Sequence, residues 1–242
     1  MQGWIRVFWR FFYFAFATII HIAGFIMMIL FGMSKKEAGA RLRRRWLSHV
    51  PAMMGIRMQM EGIPYKGTCL YVSNHIGYID PFVILIQVEA NVVAKAEILK
   101  WPLVGLGGNM AGTIFVNRED KSSRNETVVA VQNALEEGTS ILIFPEGTTS
   151  AGNGTLPFRP RSFQAAFLAD VPVQPIAIMY DSPFVAFIGN HTFLPHFFRL
   201  FRSKYITGRV VFGPLLGGED TCESSRQWIE QTLSESINQQ VT

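Results

Sequence analysis

The chain is poor in cysteine: two thiols in 242 residues, Cys69 and Cys222. That excludes a disulfide framework. Cys69 falls in an apolar run that reads as a buried strand, where an inert thiol belongs, and a reducing compartment fits the usage. Charge is also scarce. Asp, Glu, Lys and Arg make up 17% of the residues while aromatics reach 13%, and mean hydropathy is +0.21. That balance points away from an ordinary soluble protein and towards membrane contact.

Residues 11–33 contain no Asp, Glu, Lys or Arg. As a helix this stretch reaches about 35 Å, enough for a hydrocarbon core of roughly 30 Å. Trp4, Trp9 and Tyr13 stand at one end, where interfacial aromatics belong. The apolar stretch is long for a signal peptide and no A-x-A-like cleavage site precedes the basic cluster after it, so a retained anchor is expected. There is no internal repeat and no long low-complexity linker.

Acid is missing from the first 60 residues. Glu37 stands alone there against nine bases: Arg6, Arg10, Lys35, Lys36, Arg41, Arg43, Arg44, Arg45 and Arg57. The remaining residues hold 13 bases and 17 acids, so the pI near 9.2 belongs to the N-terminal part. A basic segment can seek nucleic acid or anionic lipid; the adjoining apolar run decides for membrane lipid, and no nucleic-acid partner is expected. Leu42, Trp46, Val50 and Met53/Met54 form an apolar stripe among arginines. They predict a basic amphipathic helix in the interface that Pro51 bends or ends. A single span with its basic flank on the cytoplasmic side and a helix pair dipping into one leaflet both satisfy the pattern. Residues 1–57 are expected to anchor the protein and residues 58–242 to form the catalytic domain. The expected location is a membrane, the bacterial inner membrane, with the catalytic domain on its cytoplasmic side.

The body alternates. Strands are expected at Cys69–Ser73, Asn91–Ala96, Thr113–Asn117, Thr139–Phe144 and Val173–Met179, with Tyr205–Phe212 as an outer strand. Helices are expected at Pro81–Glu89, from Trp101, from a Ser123/Glu126 capping box to Gly138, at Phe163–Asp170 and at Glu223–Asn238. The fold class is therefore α/β, a mixed and largely parallel sheet covered by helices. His191–Tyr205, where phenylalanines interleave with Arg199, Arg202 and Lys204, reads equally as a core helix or as a second membrane-surface contact.

His75 and Asp80 lie on the turn from the first body strand to the next helix. If the turn folds back, the carboxylate meets the ring, fixes its tautomer and leaves the other nitrogen free to accept a proton. The bland alternative is that Asp80 caps the helix ahead of Pro81. A carboxylate has two oxygens and can do both. Three further stretches end at strand termini. Arg118 closes Phe115–Arg118, where a guanidinium suits a phosphate or carboxylate. Glu146 lies just past a buried strand in Phe144-Pro145-Glu146-Gly147-Thr148, whose backbone N–H groups suit an anion or polyol. Val171–Pro175 flanks another strand start. In a parallel sheet these strand ends share one rim.

These four blocks, in order and spacing over about residues 58–215, resemble the glycerolipid acyltransferases that include 1-acylglycerol-3-phosphate acyltransferase. The N-H-x4-D motif matches Asn74–Asp80, F-x-x-R matches Phe115–Arg118, F-P-E-G-T matches Phe144–Thr148, and V-P-V-x-P matches Val171–Pro175. The resemblance implies that His75 is the general base and Asp80 its partner. It implies an acceptor site around Asn74, Arg118, Glu146, Gly147 and Thr148, and N-terminal helices that hold the enzyme on its lipid substrate. The donor it implies is an acyl thioester, acyl-CoA or acyl carrier protein, and the acceptor a lysolipid. No cofactor is implied, and the five histidines show no metal-ligand spacing. The product would be phosphatidic acid, placing the protein in phospholipid biosynthesis. Thr149 stands where such enzymes often carry arginine, and Arg161 where a Phe-Lys-x-Gly block has glycine. Arg159 and Arg161 then restore the positive charge, or else the acceptor is another lysolipid, such as lyso-ornithine lipid or lysophosphatidylcholine. A thioesterase using Ser73 lacks a G-x-S-x-G elbow, and a lipid-binding protein without activity would not need His75 with Asp80.

Overall fold

The computed structural model describes residues 2–101, 103–117 and 120–241. Seven parallel or antiparallel strands form one sheet among the described residues: β1 (Ile56–Glu61), β2 (Leu70–Ser73), β3 (Asn91–Lys95), β4 (Ile114–Val116), β5 (Ile141–Ile143), β6 (Val173–Tyr180) and β7 (Ile206–Phe212). Their spatial order is β1-β7-β6-β2-β5-β3-β4. Every neighbouring pair is parallel except β6 and β7, which run antiparallel. The expected mixed, largely parallel sheet is the observed one. β2 lies between β5 and β6, all three parallel, so their C-terminal ends meet at one rim.

The central strands are short and apolar because both faces are covered. Leu70 and Val72 point into one core layer with Val131, Leu135 and Phe163; Tyr71 points into the other with Val83, Ile84 and Met53. The first layer is roofed by α6 (Lys121–Glu136) and α7 (Arg161–Leu168), the second by α3 (Val50–Met54), α4 (Asp80–Leu85) and α8 (Phe193–Arg202). α9 (Thr221–Val241) lays Ile229 and Leu233 on Ala177 of β6. α5 (Val104–Met110) follows a 3-10 turn at Ala96–Lys100 that the sequence pattern did not anticipate.

Three expectations need correction. Tyr205–Phe212 is not an outer strand: β7 is inside the sheet, because β1 pairs along its free edge from Ile56↔Ile206 to Glu61↔Val211. The helix from the expected Ser123 box begins earlier and is capped by Asp120, whose Oδ1 accepts the N–H of Ser122 at 2.9 Å. Ser123 Oγ instead accepts the N–H of Asn117, and Ser122 makes the bond to Glu126. Finally, the apolar stripe of the basic segment is turned into the protein. Leu42 packs with Phe25, while Val50, Met53 and Met54 join the main core. Pro51 opens α3 in its first turn, after the chain bends at Ser48 and His49.

α1 (Gln2–Leu30) and α2 (Lys35–Leu47) form an antiparallel hairpin. Phe25 meets Leu42, Thr18 accepts the indole N–H of Trp46 at 2.9 Å, and Tyr13 bonds His49 at 2.8 Å. α1 carries two arginines in its first three turns. Arg10 is buried and donates to the carbonyls of Phe201, Ser203 and Lys204, the end of α8, at 2.8–2.9 Å. The opposite face of α1 shows its rings outward: Phe8, Trp9, Phe12 and Phe16 are exposed. It is long and apolar enough to cross a membrane and is a candidate anchor. α8 divides its residues between both readings offered for it. His196, Leu200 and Phe201 are core, while Leu194 and Phe198 stay exposed, with Trp4 of α1 beside Phe198.

Candidate active site

The site lies just beyond the end of β2. Asn74 is fully buried and clasps β6: its Oδ1 accepts the N–H of Ile178 and its Nδ2 donates to the carbonyl of Ile178, both at 2.9 Å. This two-point bond locks the strand end from which the next residue, His75, departs. Ser73 is buried too, its hydroxyl donating to the Asn74 carbonyl at 3.0 Å.

The turn folds back, the condition left open by the sequence. Asp80 Oδ2 lies 2.8 Å from His75 Nδ1, and the same oxygen accepts the N–H groups of Ile76 at 2.6 Å and Gly77 at 2.9 Å. Gly77 lets this loop close, since a Cβ there would meet the Val185 carbonyl oxygen at 2.6 Å. The helix-cap alternative is not what the carboxylate does: α4 has no side-chain cap, and Asp80 reaches back into the loop instead. Its other oxygen, Oδ1, accepts the hydroxyl of Tyr180 at 2.8 Å. Asp80 is fully buried, so these four donors replace its water. A carboxylate only accepts, which makes Nδ1 of His75 the protonated nitrogen and leaves Nε2 with its lone pair free. The ring stacks on Phe144, centroids 4.2 Å apart and planes 24° apart, and its side chain keeps 15% exposure. It is oriented on two sides and open on a third.

Glu146 stands next door because β5 pairs with β2. It is buried, and both its oxygens are taken by backbone: Oε1 accepts the N–H of His75 at 2.7 Å, and Oε2 that of Leu156 at 3.0 Å. Burial pushes its carboxyl above the ordinary carboxylate range, opposed by those two N–H bonds. Gly147 closes the turn, donating to the Phe144 carbonyl at 3.0 Å with φ +73°. A side chain there would strike Arg159, whose guanidinium lies across it. Arg159 and Thr148 are exposed at this turn. Thr149 donates to the Phe187 carbonyl, and Ser150 bonds the His75 carbonyl through both its N–H and its hydroxyl. So the rim brings together Asn74, His75, Asp80, Glu146, Gly147, Thr148 and Arg159. Arg161 opens α7 and donates to Asn125 of α6 at 3.0 Å. Arg118 lies outside the described residues.

Tyr180 was not singled out in the sequence. It ends β6, the strand on the other side of β2, so the same rule of strand ends sharing a rim reaches it. Burial and the neighbouring Asp80 charge raise its phenol well above the usual range, so it remains a donor.

A family model described as Acyltransferase matches residues 55–179. This span contains β1, the whole His75–Asp80 loop, Glu146 and β6 up to Met179. The chain belongs to the acyltransferase family. Among relatives, a lyso-ornithine lipid O-acyltransferase from Pseudomonas aeruginosa is 34% identical over 171 residues, 68% of this chain. The match spans 65% of that protein, just under two thirds of its length. A 1-acyl-sn-glycerol-3-phosphate acyltransferase from Neisseria meningitidis is 32% identical over 193 residues, covering 76% of this chain and 73% of the relative. The crystal structure of the 1-acyl-sn-glycerophosphate acyltransferase PlsC from Thermotoga maritima superposes with a TM-score of 0.68 over 98% of both chains, at 20% identity. It shares the fold. The family named from the four blocks is the one observed.

Proposed function

We propose that the protein transfers a fatty acyl group from an acyl thioester to the free hydroxyl of a lysolipid. The observation that carries this reading is the His75–Asp80 pair, with Nδ1 committed to the carboxylate and Nε2 free at a partly open ring. In the proposed reaction Nε2 takes the proton of the lipid hydroxyl as its oxygen attacks the thioester carbonyl. The new C–O bond forms, the C–S bond breaks, and the imidazolium returns its proton to the departing thiolate of coenzyme A or acyl carrier protein. Asp80 stabilises the imidazolium while it exists. Hydrolysis through a serine nucleophile is disfavoured because Ser73 is buried with its hydroxyl bonded to the Asn74 carbonyl.

The acceptor of the first reading is 1-acylglycerol-3-phosphate, giving phosphatidic acid. Arg159, exposed over the Gly147 turn, supplies a cation for its phosphate, and Arg118 is proposed as a second ligand on the strength of its motif. Glu146, Asn74 and Gly147 serve this site by fixing its backbone. A second reading, lyso-ornithine lipid, is favoured by Thr149, which binds the Phe187 carbonyl where family members often carry arginine. α1 is proposed to seat its exposed rings in the membrane that holds the lysolipid, with residues 58–242 on the cytoplasmic side. The test incubates purified protein with acyl-CoA or acyl carrier protein thioester and each lysolipid in turn, and follows free thiol. Thiol release that depends on one acceptor supports transfer and names the head group. Release without any acceptor means hydrolysis and overturns the proposal.

A further inference from the structure

Asp80 has two oxygens with different tasks. Oδ2 holds the His75 ring and two backbone N–H groups of the loop. Oδ1 accepts the Tyr180 hydroxyl at 2.8 Å. The carboxylate is fully buried. Tyr180 belongs to β6, whereas His75 and Asp80 both belong to the segment after β2. The phenol is therefore the tie between the proton-accepting loop and the neighbouring strand. Asn74 makes a parallel tie to the same strand at Ile178, two residues earlier.

We propose that Tyr180 is a positioning residue for the proton transfer: its hydroxyl fixes the rotation of the Asp80 carboxylate, and so the direction in which His75 Nε2 points. This rests on the acyl-transfer reading of His75. Rotation about Cβ–Cγ moves both oxygens together, so the Tyr180 bond on Oδ1 stiffens the same torsion that the three donors on Oδ2 restrain, and helps keep Oδ2 in line with Nδ1. The hydroxyl also draws part of the carboxylate's charge. Removing it leaves more negative charge facing the ring and strengthens the hold on an imidazolium. Of the other ionisable groups described at this rim, Glu146 meets the His75 peptide rather than its ring, and Arg159 lies across Gly147.

Tyr180→Phe deletes the hydroxyl and keeps the ring. A hydrogen bond to a charged group is worth about tenfold to a hundredfold in an equilibrium or rate. The expected result is a loss of that size in kcat, with both KM values within about twofold of wild type and the acid limb of the pH–rate profile moved to higher pH. In a His75→Ala background the same change has no further effect on rate, since the two act as one unit. A readout independent of turnover is the titration of the His75 ring by NMR, assigned by its disappearance in His75→Ala. In Tyr180→Phe its pKa rises. Should kcat, the acid limb and the ring titration all match wild type in folded Tyr180→Phe, the proposal is overturned. Should Tyr180→Phe only lower thermal stability while kcat and the ring titration stay put, Tyr180 is structural and the proposal is equally overturned. If wild type shows no acceptor-dependent turnover but the ring titration still moves, the acyl-transfer reading fails and the geometric tie stands.

Discussion

Glu146 accepts the backbone N–H of His75 at 2.7 Å, so the acid at the end of one strand holds the peptide of the base at the end of the next. Its second oxygen holds Leu156 in the loop that returns past the site. Substitution by alanine leaves two N–H groups without their acceptor, at about 1–3 kcal/mol each. Glu146→Ala is expected to lower the urea-unfolding free energy by about 2–4 kcal/mol and to reduce kcat, with Glu146→Gln in between. Unchanged stability together with a raised acceptor KM would instead make Glu146 a direct ligand of the substrate.

Arg10 tests what α1 is for. A helix that served only as a membrane plug would gain from Arg10→Leu, which removes a charge from an apolar segment. Here the guanidinium closes the end of α8 through three carbonyls. The expected outcome of Arg10→Leu is a loss of about 3 kcal/mol and faster tryptic cleavage at Arg202 and Lys204 in detergent. Unaltered cleavage would show that the hairpin and the body do not depend on this contact.

His196 gives the fold an acid-sensitive point. Its buried ring bonds Tyr78 through Nδ1 at 3.1 Å and the Ala186 carbonyl through Nε2 at 3.2 Å. Burial lowers its pKa from the ordinary value, opposed by the bond to the Ala186 carbonyl and reinforced by the nearby His191 and Arg199 charges. The unfolded chain therefore binds this proton more readily than the folded one. The associated stability is fully present above about pH 6.5 and is lost as pH falls through the depressed folded value. The melting temperature of wild type should drop more steeply from pH 7 to 5 than that of His196→Gln. Equal slopes in the two proteins would contradict the assignment.

Much of this architecture was legible because apolar strands and proline or glycine stops carry their own physics. Ile141–Ile143 and residues 173–178 are buried on both faces, and the apolar runs Thr139–Phe144 and Val173–Met179 read as such. β1 was missed because Arg57, Gln59 and Glu61 alternate with methionines at a point where a basic helix was ending. That omission alone turned β7 into an apparent edge. The His75–Asp80 spacing offered the pair beside a helix-cap reading, and not the role of each carboxylate oxygen. Asp80 before Pro81 has the look of a helix cap, and only the folded loop shows two N–H groups arriving from Ile76 and Gly77. Tyr180 lies 100 residues from Asp80 in the chain, and the pairing of β6 with β2 is what brings it there. Similarly, nothing local in Phe144–Thr148 tells that Glu146 faces the His75 peptide; that follows from β5 lying against β2.

The most direct measurement is acceptor-dependent thiol release by purified wild type and His75→Ala, under saturating acyl thioester, with circular dichroism and melting curves confirming that both are folded. General-base catalysis contributes roughly 10²–10⁴ in rate, so His75→Ala should retain no more than about one hundredth of wild-type kcat. Turnover of folded His75→Ala equal to wild type would contradict the account.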